Sequence, residues 1–489
     1  MAAIAALATV AAARAELRLG APFTDGAVLQ RGRAVPVWGT AAAGERVDVS
    51  FGRQTVSATA GEDGRWRVDL VPMAASASGR TLAAVSASGK AEAKDVLVGE
   101  VWLAGGQSNM EFPLCGTNPR LFDREGAAMA QAALRPELRF AMIGKRWSVT
   151  PQPDVQVDWR NCTPSNVCAG VSAIAFWYGL VLHDALRVPV GVVCAAWGGT
   201  CIEPWIPPQG YAKYPELDKW GKWPVTAEWK DEMKDTSVCA AHQQPSVLWN
   251  GMWAGLSPYA VKGLIWYQGE HNARPGWAVK YDVKMHALLD GFADAFETPG
   301  LSFYYVLLAP FRHMDFSEVQ RFQLRFRDPR AAMAVIHDVG QVDEIHPHDK
   351  RTPAFRLALH ALKRDYGYDL QDCSPTFAGW KREGRAARLS FDNAKSLYVY
   401  NPDRAMSADF ELLGTDGVWR KAKFANLLVS VDGRGRKMVS GRFEGAGILL
   451  VADGVDDPQG VRYLHNPPFF GCVYNEVNLP LAPFDSILD

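Results

Sequence analysis

A serine, an amide and an imidazole lie in short segments that each follow an apolar run of the sequence. Ser108 follows Gly105-Gly106, Asn272 follows Gln268-Gly269, and His346 comes shortly after the last apolar run. A serine hydroxyl becomes an effective nucleophile when a base such as imidazole removes its proton. Amide N–H groups can stabilise the oxyanion that the attack creates. These residue types therefore predict acyl transfer through a serine nucleophile.

Each of these residues takes a role in that chemistry. Ser108 is the predicted nucleophile, and His346 is the predicted base because imidazole titrates near neutral pH. Asp343 lies three residues before His346, so its carboxylate can meet the second ring nitrogen and fix the tautomer. A carboxylate from Glu344, or a Ser-His dyad without an acid, are the alternatives.

Three hydrogen-bond donors are predicted for the oxyanion. They are the backbone N–H of Ser108, the backbone N–H of Gly199 (or Gly198), and the side-chain amide of Asn272. Each donor of this kind typically contributes a factor of about 10²–10³ to the rate. Three further side chains in the same segments are predicted to support the site, namely Gln107, Gln268 and Glu270.

Uniformly apolar runs alternate with segments of helical periodicity in the middle of the chain. Such runs are typical of strands buried on both faces, and their alternation with helices predicts a doubly wound α/β sheet with right-handed crossovers. The predicted strands are 96–104, 190–196, 261–267, 303–309 and 333–336, and the predicted helices are 173–186, 277–296 and 352–366. Because ligands bind beyond the carboxyl ends of such strands, the candidate residues should meet at one edge of the sheet.

Period-2 alternation broken by turns precedes and follows this region, which indicates antiparallel β-structure. The predicted organisation is a β-sandwich-like domain over 16–94, a catalytic α/β domain over 95–375, and a C-terminal β-region over 376–489. A Trp- and Pro-rich segment at about 201–249 is too long for a simple loop and is predicted to be an irregular insertion in the catalytic domain.

Net charge and the length of the apolar runs argue against two classes of protein, and the N-terminal segment predicts where the protein is located. The 489 residues include 52 Lys plus Arg and 53 Asp plus Glu, and a net charge of −1 argues against a general nucleic-acid binder. After residue 15, no apolar run reaches the roughly 18 residues needed to span a bilayer. Residues 1–15 are apolar, rich in alanine and end in Ala13-Arg14-Ala15, which predicts a signal peptide and hence a secreted or periplasmic protein. An ordinary alanine-rich helix is the alternative, since the basic start of a signal peptide is missing.

The cysteines and histidines give little support for a bound metal. None of the eight cysteines forms a CxxC pair, which argues against structural zinc. Cys162 and Cys168 are near enough for a small disulfide loop, although the pairing stays open, and Cys194 is predicted to be a buried free thiol. A metal cluster over 346–349 would need a further ligand that the sequence does not identify, so no metal or cofactor is predicted.

The segments around the candidate residues resemble the SGNH hydrolases, and among them most closely the sialate O-acetylesterases. The resemblance is carried by Gly106-Gln107-Ser108-Asn109-Met110-Glu111, Ala196-Trp197-Gly198-Gly199-Thr200, Ile202-Glu203-Pro204-Trp205, Trp266-Tyr267-Gln268-Gly269-Glu270-His271-Asn272, and Ile345-His346-Pro347 with Asp349-Lys350. Val28-Leu29-Gln30-Arg31 and Asn466-Pro467-Pro468 extend it towards both ends of the chain. His271 stands where the family often has Ser or Asn.

The resemblance implies hydrolysis of O-acetyl esters on sugars, with 9-O-acetylated sialic acid as the expected substrate. It places the nucleophile on Ser108, the base on His346, and oxyanion donors on Gly199 and Asn272. An acetylesterase of plant polysaccharide such as xylan is one alternative. A carbohydrate-binding protein with an inactive site is another, although the intact nucleophile and base argue against it. The Trp-rich segment forms either a sugar-facing rim or ordinary aromatic packing.

The expected partner is therefore an O-acetylated sugar or glycan. No nucleic acid and no membrane span is expected, and the sequence leaves the oligomeric state open.

Overall fold

The computed structural model describes most of the chain. The described residues are 16–116, 122–132, 134–221, 241–340, 343–400, 410–431, 437–445, 447–464 and 471–488. The predicted signal segment 1–15, part of the predicted insertion, and Asn466-Pro467-Pro468 lie outside these ranges.

Between residues 16 and 106 the chain forms eight strands. In β6 the alternate residues Trp66, Val68 and Leu70 are buried between exposed charged residues, as the period-2 pattern predicts. β1, β3 and β6 form one antiparallel sheet, whereas β2, β4, β5 and β7 connect through pairing to β8. The bounds are β1 Arg18–Leu19, β2 Val28–Gln30, β3 Val35–Thr40, β4 Arg46–Phe51, β5 Gln54–Thr59, β6 Arg65–Leu70, β7 Ser76–Ser86 and β8 Gly89–Gly106.

β8 continues into the centre of the second sheet. The strand order there is β10-β9-β11-β8-β12-β13-β14, and every neighbouring pair is parallel except β10 with β9. The bounds are β9 Arg135–Met142, β10 Trp159–Cys162, β11 Val190–Ala196, β12 Gly263–Tyr267, β13 Ser302–Val306 and β14 Ala331–Ala334. Since β11 and β12 flank β8, the segments that follow them lie on either side of the segment that follows β8.

Helices cover both faces of this sheet. The Tyr304 ring lies 5.5 Å from that of His360 in α9, while the Tyr305 hydroxyl donates to the Gln323 carbonyl in α8 at 2.7 Å. Successive side chains of a strand point to opposite faces, so α8 and α9 lie on opposite sides. The bounds are α1 Ser108–Glu111, α2 Arg124–Ala132, α3 Pro164–Val167, α4 Ala173–Leu186, α5 Pro208–Lys213, α6 Asp218–Gly221, α7 Tyr281–Ala295, α8 Ser317–Arg325 and α9 Arg351–Arg364.

Within its described residues, the C-terminal part contains twelve strands in three antiparallel sheets with their own hydrophobic cluster. The sheets are β15-β16-β23-β20, β21-β22-β17-β25 and β19-β18-β24-β26. The bounds are β15 Thr376–Glu383, β16 Ala386–Asp392, β17 Leu397–Tyr400, β18 Phe410–Leu413, β19 Trp419–Lys421, β20 Lys423–Phe424, β21 Leu427–Val431, β22 Lys437–Phe443, β23 Ile448–Val451, β24 Gly460–Tyr463, β25 Val473–Asn475 and β26 Phe484–Asp485. This architecture confirms the predicted doubly wound α/β sheet with flanking antiparallel β-regions.

The cysteines pair differently from the loop considered from the sequence. Cys168 forms a disulfide with Cys115, 53 residues away, whereas Cys162 is buried and takes no part in that disulfide. Cys194 is a buried free thiol, as predicted, and burial raises its pKa to about 12. The disulfide joins the segment after α1 to the end of α3.

No helix in the described ranges combines the length and the apolar character that crossing a membrane requires.

Candidate active site

Ser108 lies on a tight turn at the carboxyl end of β8. Gly106 has φ +146°, and a Cβ at that position would come within 2.1 Å of the Tyr267 carbonyl oxygen, so only glycine fits. The N–H of Gln107 donates to the same carbonyl at 3.1 Å, and α1 begins at the next residue. The half-buried Ser108 hydroxyl makes no hydrogen bond with the described part of the chain.

The Gly198-Gly199 turn after β11 lies directly against Ser108. A Cβ built on Gly198 would be 3.1 Å from the Cβ of Ser108. The N–H of Gly198 donates to Glu111 Oε2 at 2.7 Å, and Lys145 pairs with the other oxygen of Glu111 at 2.5 Å. Gly199, with φ +72°, is exposed, and no described residue other than its chain neighbours lies within 4 Å of its Cβ position. Of the two predicted glycine donors, Gly199 is therefore the one whose surroundings are open.

The segment that carries His346 returns to the end of β8. Asn109 Nδ2, in the residue after the predicted nucleophile, donates to the Ile345 carbonyl at 3.1 Å. The Phe112 ring of the same turn lies 6.1 Å from the His346 ring. The structure therefore brings the segments of Ser108 and His346 together, although β14 is separated from β8 by two strands.

The carboxylate nearest to His346 is Glu344 rather than Asp343. Glu344 Oε1 lies 3.7 Å from His346 Nδ1 and accepts the His346 backbone N–H at 3.1 Å. Asp343 is 61% exposed in its side chain and pairs with Arg312 at 3.3 Å and His313 at 3.5 Å. The geometry thus corrects the pairing of Asp343 with the base and favours the alternative acid.

The environment of His346 favours the neutral imidazole that a base needs. Burial lowers the pKa of His346 below its ordinary value, and the positive charges of Lys350 and His348 act in the same direction. The Glu344 carboxylate opposes them, but the net direction remains downward. His346 is therefore available to accept a proton at neutral pH.

The side-chain amide of Asn272 has no hydrogen available to bind an oxyanion. It is fully buried, and its Nδ2 donates to Glu203 Oε2 at 3.0 Å and to the Trp277 carbonyl at 3.3 Å. Its Oδ1 accepts the Ile202 N–H at 2.9 Å. Both amide hydrogens are thus already used. This corrects the role given to Asn272, which holds the turn after Gly199 instead.

Gln268 connects the segments on both sides of Ser108. Its Nε2 lies 3.1 Å from Gln107 Oε1, 3.0 Å from the Thr200 carbonyl and 2.8 Å from Asn272 Oδ1. Its Oε1 accepts the Tyr281 hydroxyl at 2.6 Å. Gln107 and Gln268 therefore belong to a buried network of amide hydrogen bonds that joins these segments.

A fully buried ion pair completes this network. Lys284 Nζ lies 2.7 Å from Glu203 Oε1, and both side chains are 0% exposed. Burial raises the pKa of Glu203, but the charge of Lys284 and the hydrogen bonds from Lys284 and Asn272 outweigh it, so the net direction is downward. Sequence analysis did not identify this pair, because the partners are 81 positions apart and only Glu203 lies in a recognised motif.

Glu270, also predicted to support the site, is buried and contacts Asn109 in the turn that carries Ser108. Asn109 Nδ2 donates to Glu270 Oε1, while Glu270 Oε2 has no hydrogen-bond partner among the described residues. Burial raises the pKa of Glu270. Glu270 therefore acts on the orientation of Asn109 and not on a reacting atom.

The polar side chains that could be considered as metal ligands make contacts within the protein instead. Asp349 accepts the N–H and hydroxyl of Thr352 at the start of α9, at 2.9 and 2.6 Å. In the described residues, His360, Asp372 and Cys373 form a group of metal-ligand types, but Arg364 contacts the last two at 2.8 and 3.2 Å and supplies the positive charge.

The Trp-rich segment contributes to the core where it is described. Trp205 is 0% exposed, and its Nε1 donates to Thr200 Oγ1 at 3.0 Å, so it packs inside instead of lining a rim. Trp223 and Trp229 lie outside the described residues, and so does the Trp220 side chain.

Comparison with known proteins gives consistent matches. The family model described as carbohydrate esterase, sialic acid-specific acetylesterase matches residues 98–358, which include Ser108 and His346. The sialate O-acetylesterase of Rattus norvegicus is 27% identical over 384 residues, 68% of this chain and 70% of the relative. The human sialate O-acetylesterase is 27% identical over 401 residues, 72% of this chain and 71% of the relative.

A solved structure matches over nearly the whole length. The crystal structure of a carbohydrate acetylesterase from Xanthomonas citri has a TM-score of 0.80 and 30% sequence identity. The match covers 96% of this chain and 99% of that chain, so it includes both flanking β-regions.

Proposed function

From the premise that this chain belongs to the sialic acid-specific acetylesterase family of carbohydrate esterases, we propose that it removes acetyl groups from 9-O-acetylated sialic acids through a Ser108–His346 acyl-enzyme mechanism. Hydrolysis of O-acetyl esters on sugars is the activity of the family. The observation that supports the mechanism is the convergence of three strand-end segments: Gly198 packs against Ser108, and Asn109 binds the carbonyl that precedes His346.

The first half-reaction transfers the acetyl group to the enzyme. Ser108 Oγ attacks the acetyl carbonyl carbon as His346 takes the hydroxyl proton. The oxyanion receives hydrogen bonds from the backbone N–H groups of Ser108 and Gly199. When the tetrahedral intermediate collapses, the bond to the sugar oxygen breaks, and His346 gives its proton to that oxygen. The products are the free sugar hydroxyl and acetyl-Ser108.

The second half-reaction restores the enzyme. His346 takes a proton from water as the water oxygen attacks the acetyl carbonyl, and the same two N–H groups hold the second oxyanion. Collapse breaks the bond to Ser108 Oγ, which regains the proton from His346, and acetic acid leaves and loses its proton to the solvent to give acetate. In this scheme Glu344 stabilises the imidazolium, and Asn272 keeps the Gly199 turn in place.

Acetate release from 4-nitrophenyl acetate tests the mechanism. We expect Ser108→Ala and His346→Ala to lower kcat by at least about 10³-fold, because the nucleophile and base act as one unit. Ser165→Ala, which changes an exposed serine in α3, serves as the matched control and should keep the wild-type rate. Equal rates for wild type and Ser108→Ala would overturn the mechanism.

The choice of substrate needs a second comparison. The names of the rat and human relatives support a sialate ester. We expect kcat/KM to be higher for 9-O-acetylsialic acid than for an acetylated xylo-oligosaccharide. The reverse order would establish a polysaccharide acetylesterase instead, and acetate release from neither glycan would overturn both substrate assignments.

The protein is also proposed to be exported. The apolar segment 1–15 ends in Ala13-Arg14-Ala15, and the Cys115–Cys168 disulfide suits an oxidising compartment. Amino-terminal sequencing of the protein from an exporting host is expected to begin at Glu16. A mature protein that retains Met1 or remains in the cytoplasm would contradict export.

A further inference from the structure

Two buried side chains contact the backbone on either side of His346. Asn109 Nδ2 donates to the Ile345 carbonyl at 3.1 Å, and Lys350 Nζ donates to the Pro347 carbonyl. Lys350 Nζ also donates to Asn109 Oδ1 at 2.7 Å, so the two side chains are joined to each other. We propose that Asn109 and Lys350 form a clamp that holds the base His346 against the nucleophile Ser108. This inference rests on the proposed function and concerns positioning residues, since neither side chain contacts a reacting atom.

The clamp is rigid because its polar atoms are tied down from several sides. Asn109 is 1% exposed and Lys350 is 0% exposed. The ammonium lies 4.4 Å from the centroid of the Phe112 ring and 5.9 Å from that of Tyr267. Burial of an ammonium is costly unless hydrogen bonds and aromatic faces compensate for lost water. The three contacts of Lys350 with Asn109, Pro347 and Phe112 supply part of that compensation.

Charges on two sides fix the orientation of the Asn109 amide. Its oxygen faces the Lys350 ammonium, and its nitrogen faces the Glu270 carboxylate and the Ile345 carbonyl. A flipped amide would place its N–H groups against the ammonium and its oxygen against the carboxylate, so only one orientation is stable. Because Asn109 directly follows Ser108, this orientation couples the nucleophile turn to the base.

The clamp also places a positive charge close to the base. Burial lowers the pKa of Lys350 to about 7, while the carboxylates of Glu270, Asp123, Asp349 and Glu344 oppose this shift. At the lower pH at which His346 titrates, the lysine is charged and disfavours the imidazolium. Among the described residues, Glu344 raises the pKa of His346 and His348 lowers it. Removal of Lys350 therefore changes both the position and the proton affinity of the base.

Three variants test the clamp in the intact protein: Lys350→Met, Asn109→Ala and the double variant. Misplacing a catalytic group by about 1 Å costs roughly 10²-fold in rate, so we expect each single variant to lower kcat on 4-nitrophenyl acetate about 10²-fold, with KM unchanged. The two residues act as one unit, so the double variant should be no more than about 3-fold slower than the slower single variant.

The pH profile separates the clamp from a merely structural role. In Lys350→Met, the acid limb of kcat/KM should move to higher pH, because the imidazolium no longer meets a neighbouring ammonium. Asn109→Ala retains the ammonium and should leave the limb in place. Lys363→Met changes an exposed lysine on α9, the helix that begins directly after Lys350; it is the matched control and should keep the wild-type kcat and pH profile.

Circular dichroism shows first which variants are folded. If Lys350→Met does not fold, Asn109→Ala carries the test alone: a lowered kcat with unchanged KM supports the clamp, and any other result overturns it. Wild-type kcat in folded single variants, fully multiplicative losses in the double variant, or a raised KM with unchanged kcat would each overturn it. The proposed function fails separately, through equal rates for wild type and Ser108→Ala.

Discussion

Replacement of Lys284 by methionine should destabilise the protein far more than loss of a surface lysine. Lys284 and Glu203 are 0% exposed, with Nζ 2.7 Å from Oε1. In Lys284→Met, Glu203 retains its hydrogen bond from Asn272 but loses its counter-charge. Removing one partner of a buried ion pair typically costs about 3–5 kcal/mol of unfolding free energy. We expect a loss in that range at pH 8.

The pH dependence of this loss has a definite sign. In the wild type, the pKa of Glu203 lies below its unfolded value, so the pair stabilises the protein above the unfolded pKa. That stability is lost as pH falls through the folded pKa. Without Lys284, burial dominates and raises the pKa of Glu203, so the folded protein takes up a proton. The unfolding free energy of the variant is then lowered most at high pH. The difference in unfolding free energy between the variant and the wild type should become smaller towards pH 5.

Urea denaturation followed by tryptophan fluorescence measures both effects, since the buried tryptophans lie in the core that includes the α/β sheet. The matched control is Lys213→Met, whose partner Asp294 lies on the same helix α7 as Lys284. The Lys213 and Asp294 side chains are 43% and 45% exposed, and exposed pairs contribute only about 0–1 kcal/mol. A loss of unfolding free energy below about 1 kcal/mol in Lys284→Met would refute the reasoning. A difference from the wild type that becomes larger at lower pH would refute it as well.

Three further outcomes are expected. Glu344→Gln should move the acid limb of kcat/KM to lower pH, because it removes the negative charge that favours protonated His346. Asp343→Asn should leave the acid limb in place. A shift in Asp343→Asn alone would identify Asp343 as the partner of His346. Burial lowers the pKa of His337 to about 3, so the unfolded chain binds a proton that the folded protein excludes. The wild type should therefore lose about 2 kcal/mol between pH 7 and pH 5 that His337→Leu does not lose, as measured by urea denaturation. Reduction of the Cys115–Cys168 disulfide, which spans 53 residues, should lower the unfolding free energy by about 4 kcal/mol, and an unchanged urea midpoint would contradict this.

Strand positions were predictable where burial on both faces leaves a uniformly apolar run. β11 has the predicted bounds, and α4 does as well. β9 and β10 were not predicted, because β9 begins with Arg-Pro-Glu and carries Arg139 in its middle, which hides its buried residues. The antiparallel pairing with β10 at the sheet edge tolerates such polar residues.

The site was predictable to the level of segments but not of side-chain direction. Strand order alone brings the segments of Ser108, Gly199 and Asn272 together. Which atom Asn272 faces depends on Glu203, 69 positions away, and no local pattern encodes that contact. The same holds for Asp343, whose partners Arg312 and His313 lie on a different loop.

Strand β8 limits how this protein can be divided. Its residues 97–99 pair with β2, its earlier residues pair with β7, and its end leads into the turn of the proposed nucleophile Ser108. The predicted domain boundary at residue 95 falls within the strand. A truncated chain that began there would lack β2 and β7 and would expose the unpaired backbone groups of residues 96–99, which is a template for aggregation. In a fusion protein, residues 16–106 should therefore be kept together with the α/β sheet, because β8 belongs to both.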